Sequence, residues 1–202
     1  MSDRPVGSPD QDGLTLPVPP SRLGALMREL VASVLPALVI VLLVNIFLAQ
    51  ATRVDGQSME PNLHDHQRLI IEKLSYHFRD PQRGDIVVLR PPDVPNQPYV
   101  KRVIAVAGDT VEIRYGQVYI NGQAMQEAWI TVPFPQSSWG PATVGENEVF
   151  VLGDDRPASR DSRYFGMLPR GRILGRAFLC YWPPNDWMTY GRYAPAELGI
   201  EG

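Results

Sequence analysis

The chain has 202 residues, a length that fits one domain of ordinary size together with an appendage. Its net charge of −3, without a basic stripe carrying interleaved aromatic residues, gives no reason to expect a nucleic acid partner. Cys180 is the single cysteine, which excludes an intrachain disulfide and a zinc site built from cysteines.

The N-terminal part consists of a polar segment followed by a long apolar run. Residues 1–20 hold five prolines and lack apolar periodicity, which predicts disorder, and we assign residues 1–28 to a disordered cytoplasmic segment. No residue from Leu30 to Ala51 is charged, and as a helix this run would reach about 33 Å, enough to cross a bilayer core of about 30 Å. We therefore predict a transmembrane helix over residues 29–51, with a buried core helix as the alternative.

Beyond the apolar run the sequence changes to short β-branched segments separated by turns. Residues 52–186 are predicted to form a mainly β domain with an antiparallel, partly closed sheet, and residues 187–202 a C-terminal tail. Pro133–Gly145 is predicted to be an irregular loop because of its turn-forming residues. The predicted strands are Arg68–Lys73, Asp85–Arg90, Tyr99–Ala107, Val111–Tyr115, Val118–Ile120, Glu148–Leu152 and part of Gly171–Trp182.

Ser58 lies in the stretch G-Q-S-M-E-P-N-L, which runs from Gly56 to Leu63 directly after the apolar run. A serine hydroxyl is a poor nucleophile until a neighbouring base takes its proton. Histidine is the usual base, and His64 and His66 lie close to Ser58 in sequence. Their spacing around Asp65 also suits a metal site, but turn residues are the simpler interpretation, and we predict no metal and no cofactor.

Lys101 is an alternative base for Ser58. Only two of the 19 basic residues are lysines, and Lys101 lies within the apolar segment Y-V-K-R-V-I-A-V. Arginine stays protonated in proteins, whereas burial lowers the pKa of a lysine and can release the neutral amine that a general base requires. An outward-facing lysine on a strand is the competing interpretation.

Charged residues are concentrated in G-D-D-R-P-A-S-R-D-S-R-Y-F-G, from Gly153 to Gly166. Alternating aspartates and arginines suit a loop held by internal ion pairs. Ser159 or Ser162 is placed to hydrogen-bond a neutral lysine amine and orient it. A solvated charged loop is the alternative.

Taken together, these stretches resemble the type I signal peptidases, membrane-anchored serine/lysine proteases that remove secretory signal peptides. G-Q-S-M-E-P-N-L resembles the nucleophile box of that family, and G-D-I-V-V-L-R and Y-V-K-R-V-I-A-V-A-G-D resemble the next two boxes. The charged loop resembles the last box. The four boxes follow a predicted membrane span in the family's order, and the resemblance covers residues 30 to about 182.

The resemblance implies a role for each matching residue. Ser58 would be the nucleophile, Lys101 the general base, and Ser159 the serine that orients the lysine. Asp154, Arg156, Asp161 and Arg163 match structural charges near the site, and Arg102 would pair with one of the aspartates. The positions that match the lining of pockets for small substrate residues are Val54, Met59, Leu63, Tyr99 and Val100.

The same resemblance implies an endopeptidase that cleaves exported preproteins through an acyl-enzyme, after small residues in an A-x-A pattern. Its expected partners are signal peptides, the lipid bilayer and the nearby export machinery. The expected location is the cell membrane, or the thylakoid membrane where the source has one, with the catalytic domain on the extracytoplasmic side. A Ser/His hydrolase using His64 or His66, and a non-enzymatic membrane-tethered β domain that binds envelope partners, are the alternatives.

Three positions depart from the family's pattern. Gly56 stands where some members have a serine whose hydroxyl helps to hold the oxyanion, so the second oxyanion donor is left open. Asn62 replaces the usual threonine, and Asp155 replaces the usual asparagine of G-D-N-R. None of the three removes the serine or the lysine.

Ala49-Gln50-Ala51 is itself an A-x-A sequence, seven residues before Ser58, and predicts slow self-cleavage after Ala51. N-terminal sequencing after incubation in detergent should find a new end at Thr52 in the wild type and not in Ser58→Ala. Identical ends in the two proteins would exclude self-cleavage.

Overall fold

The computed structural model describes residues 22–43, 49–130, 134–186 and 188–189. The chain divides into two units, residues 1–41 and residues 42–202. Residues 1–20 of the predicted N-terminal segment, and residues 187 and 190–202 of the predicted C-terminal tail, lie outside the described residues.

The first unit contains most of helix α1, Arg22–Leu43, whose apolar side chains are largely exposed. Residues Leu23–Leu43 are long and apolar enough to cross a membrane. The helix begins at Arg22, so the predicted start at residue 29 is wrong: Arg22 and Arg28 lie inside the helix, since charged residues near a helix end do not prevent its formation. Its described part ends at Leu43, and residues 44–48 lie outside the described part.

The predicted end of this helix at residue 51 is also wrong, because Ala49–Arg53 forms strand β1. Strand β1 pairs antiparallel with β2, Arg68–Glu72, in a register that places Ala51 opposite Ile70. The A-x-A sequence therefore lies in a hydrogen-bonded edge strand of the sheet. Self-cleavage after Ala51 would require β1 to separate from β2.

The prediction of a mainly β, antiparallel and partly closed fold is confirmed for the second unit. Besides β1 and β2, the larger sheet contains β3 Ile86–Leu89, β4 Tyr99–Ala105, β9 Glu148–Leu152, β10 Leu168–Pro169, β11 Ile173–Trp182 and β12 Met188–Thr189. Their order is β1-β2-β11-β3-β4-β9-β10, with β12 paired to β11. Strand β4 lies between β3 and β9, so its side chains face a packed interior.

The smaller sheet contains β5 Thr110–Arg114, β6 Gln117–Ile120, β7 Gln123–Ala124 and β8 Trp139–Thr143. Their order is β7-β6-β5-β8. Strand β8 corrects the prediction of an irregular loop over Pro133–Gly145: despite Gly140 and Pro141 it pairs with β5 at the edge of the sheet. The Trp139 ring also packs against Phe150, with 4.5 Å between the ring centroids.

Two further differences concern short elements. Met188–Thr189 pairs with Leu179 and Cys180 of β11, so the predicted C-terminal tail begins with a strand. Two single-turn helices follow strands: α2, Ser75–Phe78, and α3, Ser162–Phe165. The side chain of Asp161 caps α3 by accepting a hydrogen bond from the backbone N–H of Arg163.

Strand β11 approaches β2 closely at Gly175. A Cβ at this position would lie 2.7 Å from the backbone carbonyl oxygen of Glu72, closer than packed atoms can lie. Nothing lies within 4 Å of a Cβ at Gly171, just before β11. The packing of the two strands therefore requires glycine at position 175 and not at position 171.

We expect Gly175→Ala to lower the free energy of unfolding by about 1–3 kcal/mol, because β2 and β11 must move apart. Gly171→Ala is the matched control and should change it by less than about 0.5 kcal/mol. Urea unfolding of the detergent-solubilised protein measures both. Equal stability of the two variants would contradict the close approach at Gly175.

Candidate active site

Ser58 lies in the connection between β1 and β2, residues 54–67. Two backbone hydrogen bonds between the ends of this connection close it, Val54 N–H to Gln67 O at 2.8 Å and His66 N–H to Val54 O at 2.9 Å. Met59 and Leu63 anchor it to the domain, since each is 1% exposed or less. The partly exposed Ser58 is thus held on a segment fixed by its buried neighbours.

Lys101 is the third residue of β4 and is only 2% exposed. Its Nζ lies 2.6 Å from Ser58 Oγ and 2.9 Å from the carbonyl oxygen of Val100, which accepts a hydrogen bond from it. The Tyr99 ring lies 5.2 Å away, from Nζ to ring centroid. The two residues predicted to carry the chemistry, 43 positions apart in sequence, are therefore in direct contact.

The surroundings of Lys101 favour its neutral form. Burial lowers the pKa of Lys101 from its ordinary value of 10.5 to about 8, although Asp161 and Asp154 act in the opposite direction. Arg163 contributes a further decrease. At pH 7.5 a pKa of about 8 leaves about a quarter of the amine neutral, roughly 200 times the fraction of an ordinary lysine.

Ser159 does not make the predicted hydrogen bond to Lys101. It is buried, at 4% exposure, and its Oγ has no hydrogen-bond partner among the described residues. It packs beside Gly153, where a Cβ would overlap Ser159 Oγ and lie 2.5 Å from the Ser58 carbonyl oxygen. Two contacts of the Lys101 amine are instead with Ser58 and Val100.

Ser162, the other serine suggested to orient the lysine, accepts a hydrogen bond from the Val151 N–H.

A buried ion pair joins β4 to the charged loop. Arg102 donates to both carboxylate oxygens of Asp154, at 2.8 and 2.6 Å, and both side chains are 2% exposed or less. The Arg102 guanidinium also stacks over the Trp129 ring at 4.7 Å. Since Arg102 follows Lys101 directly, this pair fixes the strand beside the amine.

Asn62 links the connection that carries Ser58, residues 54–67 and here called the nucleophile segment, to the same buried ion pair. Its Nδ2 donates to Asp154 Oδ2 and to the carbonyl oxygen of Trp129, each at 2.9 Å. The sequence marked Asn62 only as a departure from the family's pattern. Trp129 lies outside every recognised motif, so its part in this cluster was not predicted.

The charged loop is held by ion pairs, as its alternating charges suggest. Arg163 forms a two-point pair with Asp161, which also accepts a hydrogen bond from the Gly153 N–H. Arg156 pairs with the buried Glu127 and donates to the Gly153 carbonyl. Glu127 belongs to the connection after β7 and was missed by the sequence analysis because no motif contains it. Burial raises the pKa of its carboxyl although Arg156 acts against this change.

Four of the five residues predicted to line the substrate pockets pack together. Val54, Met59, Leu63 and Val100 belong to one buried apolar cluster. Tyr99 is partly buried and packs in a different cluster. Two cavities of about 500 and 380 Å³ are lined by other residues, so neither includes Ser58 or Lys101.

The histidines lie away from this chemistry. His64 and His66 are exposed, and no histidine among the described residues hydrogen-bonds Ser58. Three potential metal ligands lie within 4.8 Å of one another at the surface, from Asp55, Asp65 and His66. His64, which the sequence also suggested as a ligand, does not belong to this group. Asp65 instead accepts a hydrogen bond from the Gly56 N–H at 2.9 Å.

The buried amine should reduce stability in a defined pH range. The folded-state pKa of about 8 lies below the ordinary 10.5, so protons favour the unfolded chain. The resulting loss of folding stability is fully present below pH 8 and disappears as the pH rises to 10.5. We expect inactive Lys101→Met to be more stable than wild type at pH 6–7, by up to about 3 kcal/mol.

Unfolding measurements from pH 6 to 10.5 test this expectation, and the difference should shrink at the alkaline end. Ser58→Ala is the matched control, since it is also expected to be inactive but keeps the buried amine. A Lys101→Met protein that is less stable than wild type at every pH would contradict the prediction that the buried amine reduces folding stability.

The comparisons with known proteins agree with these features. The family described as signal peptidase, peptidase S26, matches residues 27–182. A probable signal peptidase I-2 of Synechocystis is 41% identical over 160 residues, covering 77% of this chain and 73% of that protein. A signal peptidase I of Leptolyngbya laminosa is 42% identical, covering 74% and 76%. A chloroplastic thylakoidal processing peptidase 1 of Arabidopsis thaliana is 36% identical, covering 68% and 43%. The chain belongs to the signal peptidase family, peptidase S26.

Proposed function

We propose that this signal peptidase I enzyme removes signal peptides from preproteins with Ser58 as nucleophile and Lys101 as general base. The observation that carries the proposal is the 2.6 Å contact between Lys101 Nζ and Ser58 Oγ. A nucleophile and its base must lie within about 2.6–3.2 Å for direct proton transfer. The lowered pKa of the buried amine supports the same assignment.

In the acylation step, neutral Lys101 accepts the proton of Ser58 while Oγ attacks the carbonyl carbon of the scissile bond. The resulting ammonium then gives its proton to the leaving amine, and the C–N bond breaks to leave an ester on Ser58. In deacylation the neutral amine takes a proton from water, which attacks the ester carbonyl carbon. The ammonium then returns that proton to Ser58 Oγ as the ester C–O bond breaks and the signal peptide is released. The buried lysine thus acts as a base and then as an acid in each half of the reaction.

The backbone N–H of Ser58 is the proposed oxyanion donor. No hydrogen bond from this group to a described residue occurs in the structure, so it is available to a substrate. Gly56 supplies no hydroxyl, and its N–H is occupied by Asp65. Stabilisation of the oxyanion would therefore depend on the main chain around Ser58.

The apolar cluster around the nucleophile supports a preference for small residues before the cleaved bond. Met59, next to Ser58, and Leu63 are almost completely buried, and they pack in one cluster with Val54 and with Val100, which precedes Lys101. We propose that this cluster forms the floor on which the substrate lies, with Tyr99 at its border. Because its side chains already fill the space, only small residues such as alanine would fit at the −1 and −3 positions of the substrate.

The apolar helix α1 is consistent with a membrane location. We propose that the β domain lies on the extracytoplasmic side, close to the export machinery, where preprotein cleavage sites emerge. We propose a polar N-terminal segment, a membrane anchor within α1 and a peptidase domain from β1 onward, and the bounds of α1 and β1 support this division.

Precursor cleavage in detergent tests the assignment of both residues. Ser58→Ala, Lys101→Ala and Lys101→Arg should each lower kcat/KM by about 10³-fold or more, because the nucleophile or the neutral base is lost. His64→Ala and His66→Ala are the controls and should keep full activity. Cleavage at an A-x-A site by Lys101→Arg would exclude the lysine base, and a wild-type protein that cleaves no precursor would favour a binding role.

A further inference from the structure

We propose that Asn62 is a positioning residue that fixes the distance between Ser58 and Lys101. The proposal rests on the proposed function, since it concerns the serine and lysine assigned there. Asn62 is partly buried and lies four residues after Ser58, on the segment that carries the nucleophile. Neither of its two side-chain hydrogen bonds, to Asp154 and Trp129, is made to Ser58 Oγ or Lys101 Nζ, so its effect must pass through the groups that it binds.

The hydrogen bonds of Asn62 use the two N–H donors of its side-chain amide. One goes to Asp154 Oδ2 and the other to the carbonyl oxygen of Trp129, each at 2.9 Å. Both partners accept hydrogen bonds only, which fixes the orientation of the amide. A threonine side chain has one donor and an ionised aspartate has none, so neither residue could make both of the bonds that the Asn62 amide makes.

Through these bonds the nucleophile segment and the strand that carries Lys101 are both attached to Asp154. Asp154 holds Arg102, which is bonded directly to Lys101 in sequence. Asn62 connects the same carboxylate to the Ser58 segment. The charged loop approaches this segment again at Asp155, whose N–H donates to the Ser58 carbonyl at 3.1 Å. Asp154 therefore relates the positions of the two catalytic groups across three separate parts of the chain.

Trp129 gives the cluster its rigidity. It is 2% exposed, its ring lies under the Arg102 guanidinium, and its carbonyl holds Asn62. The connection that contains Trp129 is tied a second time to the charged loop by the pair of Glu127 and Arg156. Asn62 thus binds to a support that is itself fixed at two places, as a positioning role requires.

Steady-state kinetics on Asn62→Leu test the proposal, because leucine has a similar size and no donor. We expect kcat to fall by about 10–100-fold, with KM changed by less than about threefold, since misplacement of reacting groups slows chemistry more than binding. Asn62→Thr keeps one donor and should recover part of the loss. Asn96→Leu, in the exposed loop before β4, is the matched control and should behave as wild type.

The kcat of each variant is divided by its folded fraction, which is measured by thermal unfolding. If Asn62→Leu keeps the wild-type kcat per folded molecule, Asn62 has only a structural role and the proposal fails. If Asn62→Leu does not fold, Asn62→Thr decides, and a wild-type kcat in that variant also overturns the proposal. Wild-type cleavage with Ser58→Ala inactive shows that a negative result concerns Asn62 and not the proposed function.

Discussion

The structure depends on one unfavourable arrangement, the burial of a lysine amine within a packed antiparallel sheet. Lys101 is on an interior strand, and its Nζ meets the Ser58 hydroxyl and the Val100 carbonyl. Desolvation of this amine lowers its pKa to about 8. The same desolvation that reduces stability makes the amine available as a base near neutral pH.

Ion pairs around the lysine stabilise the site without reversing this effect. Asp154 and Asp161 are buried close enough to raise the pKa of Lys101, yet each is paired with an arginine, Arg102 and Arg163. The pairing directs their hydrogen-bonding capacity away from the amine. The charged loop thus holds β4 and the nucleophile segment in place, while the charge of each of the two aspartates is balanced by an arginine.

The sequence was sufficient to predict the features that depend on local residue type. The rarity of lysine marked Lys101, and the strands carrying the site were recognisable as β-branched segments. The apolar surroundings of Lys101 left a buried and an outward-facing side chain as alternatives, and the fold decides for burial. Features that depend on long-range contact were missed. Glu127 and Trp129 follow a two-residue strand in a connection without a motif, and only the fold brings them to Arg156 and Asn62. The helix end was misplaced because apolar composition does not distinguish the helix from strand β1.

The pH dependence of kcat/KM for precursor cleavage tests the central claim most directly, because it reports the pKa of the essential base in the free enzyme. With Lys101 as the base, activity should rise with pH through a single limb centred near 8. A limb near 6.5 would indicate a histidine base, and one near 10.5 would indicate an exposed, unperturbed lysine. Either result would contradict the assignment of a buried, desolvated Lys101 as the group that activates Ser58.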